Sequence, residues 1–182
     1  MRWRNHADAY GAIAIAFHWS AALLTVGLFA LGLYMVTLTY YDPLYRTLPQ
    51  WHKDLGAALI VLMLLRLSWR TLSPPPAPVS GHRPAERHAA KLTHVLLYLL
   101  PFALAVFGYL ISTADGRPLR LWGDTLAVPA LRTGIDNQED LAGTVHLWLA
   151  YTLIGLVVLH ALGALKHHIF DRDRTLRRML GR

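Results

Sequence analysis

Four apolar runs, each close to the length that crosses a bilayer, constrain this chain more than any motif in it. They cover about residues 13–36, 55–72, 92–111 and 145–165, and about 20 apolar residues in a helix span the roughly 30 Å of membrane hydrocarbon. A soluble bundle helix would show polar side chains every third or fourth position along its outward face. Apart from Arg66 and Arg70, these runs largely lack them. The reading is an all-α integral membrane protein: one up-and-down four-helix bundle, residues 1–182, forming a single membrane domain.

Charge sets the expected orientation. The formal net charge of +7 would suggest nucleic acid in a soluble chain, but its distribution matters more than its sum. With four spans, 13 of the 18 basic residues fall on one side: Arg2, Arg4, Arg66, Arg70, Arg83, Arg87, Lys91, Lys166, Arg172, Arg174, Arg177, Arg178 and Arg182. The other side holds Arg46, Lys53, Arg117, Arg120 and Arg132 among six carboxylates. By the positive-inside rule both termini are cytoplasmic, and no nucleic-acid partner is implied. The first run is too long for a signal-peptide core and is followed by no small-residue cleavage site, so it reads as a retained span. With no cysteine, disulfides, thiol catalysis, cysteine-ligated clusters and covalently attached haem are all excluded.

Histidines carry the chemistry. His146 and His160 lie 14 residues apart in the last run, which puts them on one helix face about 21 Å apart, a spacing suited to two stacked haems. Counting 14 residues along each span gives His18 with Gly32, His52 with Arg66, His94 with Gly108, and His146 with His160. Because alternate spans run in opposite directions, these positions sort into two layers. A cytoplasmic layer holds His18, Arg66, His94 and His160; an outer layer holds Gly32, His52, Gly108 and His146. Non-covalent haem b needs an imidazole on each axial face and an apolar slot for the porphyrin. An outer haem therefore has only His52 and His146 to hold it. The inner layer offers three histidines for two positions; bundle geometry pairs His18 with His94, whereas the last span's shared face pairs His18 with His160. Gly32 and Gly108 are expected to let the porphyrin plane approach. Glycine also serves helix packing in membranes, so these two alone prove little.

Around the spans, Asp8 to Gly11 forms a cap or turn before the first helix, and residues 38–53 form an aromatic, proline-containing outer loop. The stretch SPPPAPVSGHRP is a cytoplasmic linker, with His82 and His88 solvated beside it. Pro101 is expected to kink the third span. Residues 113–143 contain PLRLWGDTLAVPAL, a mildly amphipathic piece expected to lie as a short lid over the outer end. The basic tail after Leu165 lies on the cytoplasmic membrane surface, carrying His167 and His168.

Several stretches together resemble the bacterial cytochrome b561 family of di-haem membrane proteins: FHW at 17–19, WHKDLG at 51–56, VLMLLRLSWR at 61–70, HVLLYLLP at 94–101, then VHLWLAY, VVLHALGALKHH and the TLRRM tail. The resemblance covers nearly the whole chain. It implies two non-covalent bis-histidine haems b in a multi-pass protein of the bacterial inner membrane, with His18 and His160 binding the cytoplasmic-side haem and His52 and His146 the outer one. His94 is left as a neighbour of the inner haem or a quinone-site residue. Arg66, on the His52 face at the inner level, then gains a role as counter-ion to a haem propionate. The implied function is electron relay from an outer donor, superoxide in one version, to ubiquinone, with Arg117, Arg120 and Arg132 steering the anion. The alternative is a cytochrome b subunit serving a dehydrogenase- or hydrogenase-type redox partner. A haem-free transporter or structural membrane protein is disfavoured by the 14-residue pattern.

Overall fold

The computed structural model describes every residue except Met1, Ser80, His82, Arg132 and Arg182. Four long helices dominate: α1 (Ala12–Met35), α2 (Thr47–Leu72), α3 (Pro84–Ser112) and α4 (Gln138–Ile169). Two short strands, β1 (Leu119–Leu121) and β2 (Leu126–Val128), lie between α3 and α4, and a short helix α5 (Thr175–Met179) ends the chain. Each long helix is long and apolar enough to cross a membrane. Their surfaces agree, since large apolar side chains stand exposed along all four, among them Leu23, Leu64, Leu99 and Leu159. Apolar faces of that extent are covered by lipid or partner rather than water. The fold class is all-α, a four-helix integral membrane bundle.

Two compact units make up the chain. One comprises Met1–Leu23, Val61–Tyr98 and Gly155–Arg182, the other Leu24–Ile60 and Leu99–Ile154. In the first, Asn5 secures the N-terminal head: its Oδ1 accepts from Gly11 N at 2.8 Å, while its own N–H donates to Ser73 Oγ at 2.9 Å and Nδ2 to Ser73 O at 2.7 Å. These bonds satisfy the buried Ser73 at the end of α2. A Cβ on Gly11 would collide with Trp3 O and come within 2.6 Å of Arg4 O, so the turn entering α1 requires glycine. The tail docks in the same unit through Trp19 Nε1–H to Met179 O at 2.9 Å and Arg178 Nη1 to Ala77 O at 2.8 Å. Lys166 near the end of α4 meets Glu86 at the start of α3 at 2.8 Å.

In the second unit, Leu28, Leu48, Leu59, Leu121, Ala142 and Leu153 form the buried apolar set. The lid segment differs from the expected amphipathic piece. It is an antiparallel hairpin with Leu119 opposite Val128 and Leu121 opposite Leu126, because Leu119 and Leu121 alternate at the strand period and bury Leu121. Its tip runs through three consecutive left-handed residues, Trp122, Gly123 and Asp124. Trp122 N–H donates to Asp54 Oδ1 at 2.9 Å and Gln50 Nε2 to Arg120 O at 3.1 Å. Beyond the hairpin, Tyr109 Oη donates to Pro129 O at 2.6 Å and accepts from Leu131 N–H at 2.8 Å.

Helix ends extend past the apolar runs. α2 starts at Thr47 rather than near 55, with Pro49 in its first turn, where a missing N–H costs little. α3 starts at Pro84, so His88 belongs to a helix and not to the linker; it is exposed, with Nδ1–H donating to Pro84 O at 2.7 Å. Arg83 N–H donates to Glu86 Oε2 at 3.0 Å and closes that helix start. The solvated site expected for His82 lies outside the described residues.

Candidate haem-binding site

The histidines singled out by spacing gather into two clusters, one within each unit. In the second unit, α2 supplies His52 and α4 supplies His146, with ring centroids 6.2 Å apart and planes at 66°. Behind each imidazole stands a glycine. A Cβ built on Gly32 would lie 3.3 Å from His52 Cε1, and one on Gly108 would lie 3.4 Å from His146 Cε1. These two glycines thus make room for the imidazole rings. His146 Nδ1–H donates to Leu104 O at 3.0 Å, which fixes the ring and leaves Nε2 with its lone pair. His52 Nδ1 is buried with no hydrogen-bond partner.

In the first unit, His18 of α1 and His160 of α4 repeat that relation, with centroids again 6.2 Å apart and planes at 62°. His94 of α3 lies closer to His160, at 5.3 Å. Two imidazoles bonded at about 2 Å to opposite sides of one metal ion hold their centroids about 6 Å apart. Both 6.2 Å pairs fit that figure, and the His94–His160 contact is too short for it. Arg66 of α2 brings Nη2 to 3.2 Å from His18 Nδ1 and sets its guanidinium carbon 5.2 Å from the Tyr98 ring centroid. Trp19 packs edge-on against His18 at 5.2 Å.

The arginines expected to steer an anion are engaged elsewhere. Arg117 binds Asp115, with Nη2 to Oδ2 at 2.5 Å, and Arg120 pairs with Asp124 at 3.3 Å. The hydrogen bond from Arg117 holds the exposed Asp115 carboxyl below its ordinary range. Arg132 lies outside the described residues.

Sequence reasoning did not find Leu104, because a backbone acceptor carries no residue-type signature. A spacing signal was nevertheless present. His18 and His94, like Gly32 and Gly108, are 76 residues apart, while His52 and His146, like Arg66 and His160, are 94 apart.

A membrane helix bundle with paired, glycine-backed imidazoles is the build of a membrane cytochrome b. Residues 9–182 match the family described as prokaryotic cytochrome b561. The chain is 47% identical to cytochrome b561 homolog 2 of Escherichia coli (strain K12), over all of this chain and 96% of that protein. It is 30% identical to the probable superoxide oxidase CybB of Yersinia pestis, over 94% of this chain and 95% of that protein. Cytochrome b561 homolog 1 of Escherichia coli (strain K12) is 28% identical over 76% of the chain and 77% of its own length. The chain belongs to the prokaryotic cytochrome b561 family. It is accordingly a multi-pass bacterial membrane cytochrome b of electron transport, and its family binds haem b.

Proposed function

We propose that this protein carries two haems b and passes electrons from superoxide on the outer face of the bacterial inner membrane to the quinone pool, with both chain termini on the cytoplasmic side. Haem b, when bound, supplies a one-electron iron couple. His52 and His146 would hold the outer haem, and His18 and His160 the inner one. Gly32 and Gly108 seat the outer imidazoles, and Leu104 O holds the His146 proton on Nδ1, so Nε2 would be the nitrogen available to the haem. With two imidazoles given to each haem, the site would suit electron relay rather than oxygen binding. His94, too close to His160 to share a metal with it, borders the inner site and is the residue we assign to the quinone side.

The observation that carries this reading is the match between the two histidine pairs, each with centroids 6.2 Å apart. The chemistry balances as two superoxide anions losing one electron each to give oxygen, while one quinone takes two electrons and two protons. A relative named as a probable superoxide oxidase supports the choice of donor.

The decisive experiment is haem stoichiometry with ligand variants of the purified protein. Two haems per chain are expected, with His52→Ala and His160→Ala each losing a different one and His94→Ala keeping both. Retention of two bis-histidine spectra in either ligand variant would refute the assignment. Rapid reduction of the wild-type protein by superoxide is expected, and its absence at every pH would exclude that donor.

A further inference from the structure

Past its apolar run, α4 ends in a second set of ligand-type side chains, within HHIFDRD at residues 167–173. His167, Asp171 and Asp173 each offer one donor atom, and the three atoms lie within 4.8 Å of one another. The helix end brings them together. His167 and Asp171 stand at i and i+4 and share a face. Arg172 then takes a left-handed backbone, φ 53°, that turns the chain, and Asp173 N–H donates to His167 O at 3.0 Å. Asp173 Oδ1 accepts from Thr175 N–H at 2.8 Å, which leaves Oδ2 on the His167 side, 3.7 Å from Nδ1. Asp171 Oδ2 lies 2.6 Å from the same nitrogen. The His167 and Asp173 side chains are 16% and 12% exposed and that of Asp171 34%, so the group is covered by protein on two sides and open to water on the third.

We propose that His167 Nδ1, Asp171 Oδ2 and Asp173 Oδ2 form a site for one divalent transition-metal ion of the Zn²⁺ type, which clips the end of α4 to the tail that follows. The site uses no residue assigned to haem. Such ions bond imidazole nitrogen and carboxylate oxygen at about 2.0–2.2 Å, which sets neighbouring donors about 3.0–3.4 Å apart. The two separations from Nδ1, 2.6 Å and 3.7 Å, bracket that figure, so small side-chain rotations seat the ion. The imidazole separates this group from a plain acidic patch, because nitrogen suits Zn²⁺ whereas Mg²⁺ and Ca²⁺ take oxygen. Three protein donors leave a coordination position for water on the exposed side. Binding is an exchange. Lys166 Nζ lies 2.7 Å from Asp171 Oδ2, the oxygen the ion would use, and 2.8 Å from Glu86 Oε1; as the ion arrives the ammonium gives up Asp171 and keeps Glu86, and the proton that His167 Nδ1 shares with Asp171 is released to water. The neighbouring Arg172, Arg174, Arg177 and Arg178 repel a cation, which makes the site weaker than a four-ligand structural zinc centre.

Equilibrium dialysis of the full-length holoprotein in detergent against Zn²⁺, read as metal content per chain, tests this without an activity assay. At a concentration that fills the wild-type site, His167→Ala and Asp173→Asn are each expected to hold one Zn²⁺ fewer, with affinity at the site at least about tenfold weaker. Excess Mg²⁺ should not displace the ion. Lys166→Gln removes the competing ammonium and should bind Zn²⁺ more tightly, an outcome that adventitious binding elsewhere on the surface would not give. Zn²⁺ should also slow amide exchange at Asp173 and Thr175 in wild-type protein and leave it unchanged in Asp173→Asn. His88→Ala, at an exposed histidine outside the set, should keep the full count. The proposal is overturned if wild-type protein takes up no more Zn²⁺ than the two ligand variants, if Mg²⁺ displaces it, if Lys166→Gln binds no more tightly than wild type, or if His88→Ala loses as much as His167→Ala. Should His167→Ala lose helix content, Asp173→Asn carries the comparison.

Discussion

Replacing Gly108 by alanine probes the seat of His146 with one added carbon. That Cβ would lie 3.4 Å from His146 Cε1 and 3.6 Å from Nδ1, at or inside the usual carbon contact of about 3.5–4.0 Å. The ring has little freedom to retreat, because its Nδ1–H is held by Leu104 O at 3.0 Å, one turn before Gly108 on the same helix. Either that hydrogen bond stretches or α3 shifts by a few tenths of an ångström. Overpacking on this scale costs about 1 kcal/mol, the low end of its usual range, and loosening the hydrogen bond adds up to about 1 kcal/mol more. Alanine is itself favoured over glycine inside a helix by about 1 kcal/mol, so thermal stability should stay nearly level while the imidazole is displaced.

The expected reading is a haem affinity about fivefold to thirtyfold weaker at one site, with melting of the haem-free protein nearly unchanged. Haem titration, haem content per chain and reduced-minus-oxidised spectra measure it. Gly108→Val should deepen the loss. Gly32→Ala supplies the internal comparison: its Cβ would approach His52 Cε1 more closely, at 3.3 Å, but His52 Nδ1 has no partner to hold the ring. That imidazole can turn aside, so the smaller loss is expected there. Full haem content and an unaltered spectrum in Gly108→Val would refute the seating argument. A larger loss in Gly32→Ala than in Gly108→Ala would refute the role given to the Leu104 tether.

Three further outcomes follow from contacts outside the histidine pairs. Asp54→Ala removes the acceptor of Trp122 N–H and of Gln50 Nε2 and should loosen the hairpin by about 1 kcal/mol per lost bond, read as faster amide exchange across residues 119–128; unchanged exchange would show that Leu121 burial alone holds the lid. Trp19→Phe keeps an aromatic ring beside His18 but loses the bond to Met179 O, so the tail should be cleaved faster by protease while helix content is unchanged. Asp171 is exposed, and the Lys166 hydrogen bond, followed by that of His167, depresses its carboxyl below the ordinary 3.8. Its contribution to tail docking is therefore complete above the unfolded-chain value and is lost as pH falls through the lower folded value. Tail proteolysis should rise below about pH 4 in wild-type protein and be pH-independent in that window in Asp171→Asn, and equal pH profiles for the two would exclude the link.

The apolar spans were legible because a run of about 20 residues without charge has few other stable environments, and Ala12–Met35 came within one residue of the expected bounds. The polar helix ends were not. Thr47 to Asp54 and Pro84 to Lys91 are helical through capping and docking contacts such as Arg83 N–H to Glu86 and Lys166 to Glu86, and those depend on tertiary neighbours. The hairpin was hidden for the same reason: strands of three residues are too short for a period to register, and Asp54, Gln50 and Tyr109 hold the segment from other elements. Spacing selected His18, His52, His146, His160, Gly32 and Gly108, yet it could not say that the glycines face the imidazoles, because a face of a helix specifies a direction and not the atom met there.

The residue spacings and the contacts point to one structural unit used twice. α1 and α2 bring Gly32 against His52, and α3 and α4 bring Gly108 against His146, at distances within 0.1 Å of each other. Leu59 and Leu153, 94 residues apart like the histidines they follow, are both 5% exposed. Positions 66 and 160 share that separation, and there the two copies diverge, arginine in the first helical pair and histidine in the second. Had position 66 also been histidine, the cluster would offer four imidazoles rather than the three it has. With arginine at 66, His18 has a cationic neighbour and lies 6.2 Å from His160, centroid to centroid. Arginine at position 66 thus leaves three imidazoles in that cluster, of which His18 and His160 stand 6.2 Å apart and His94 5.3 Å from His160.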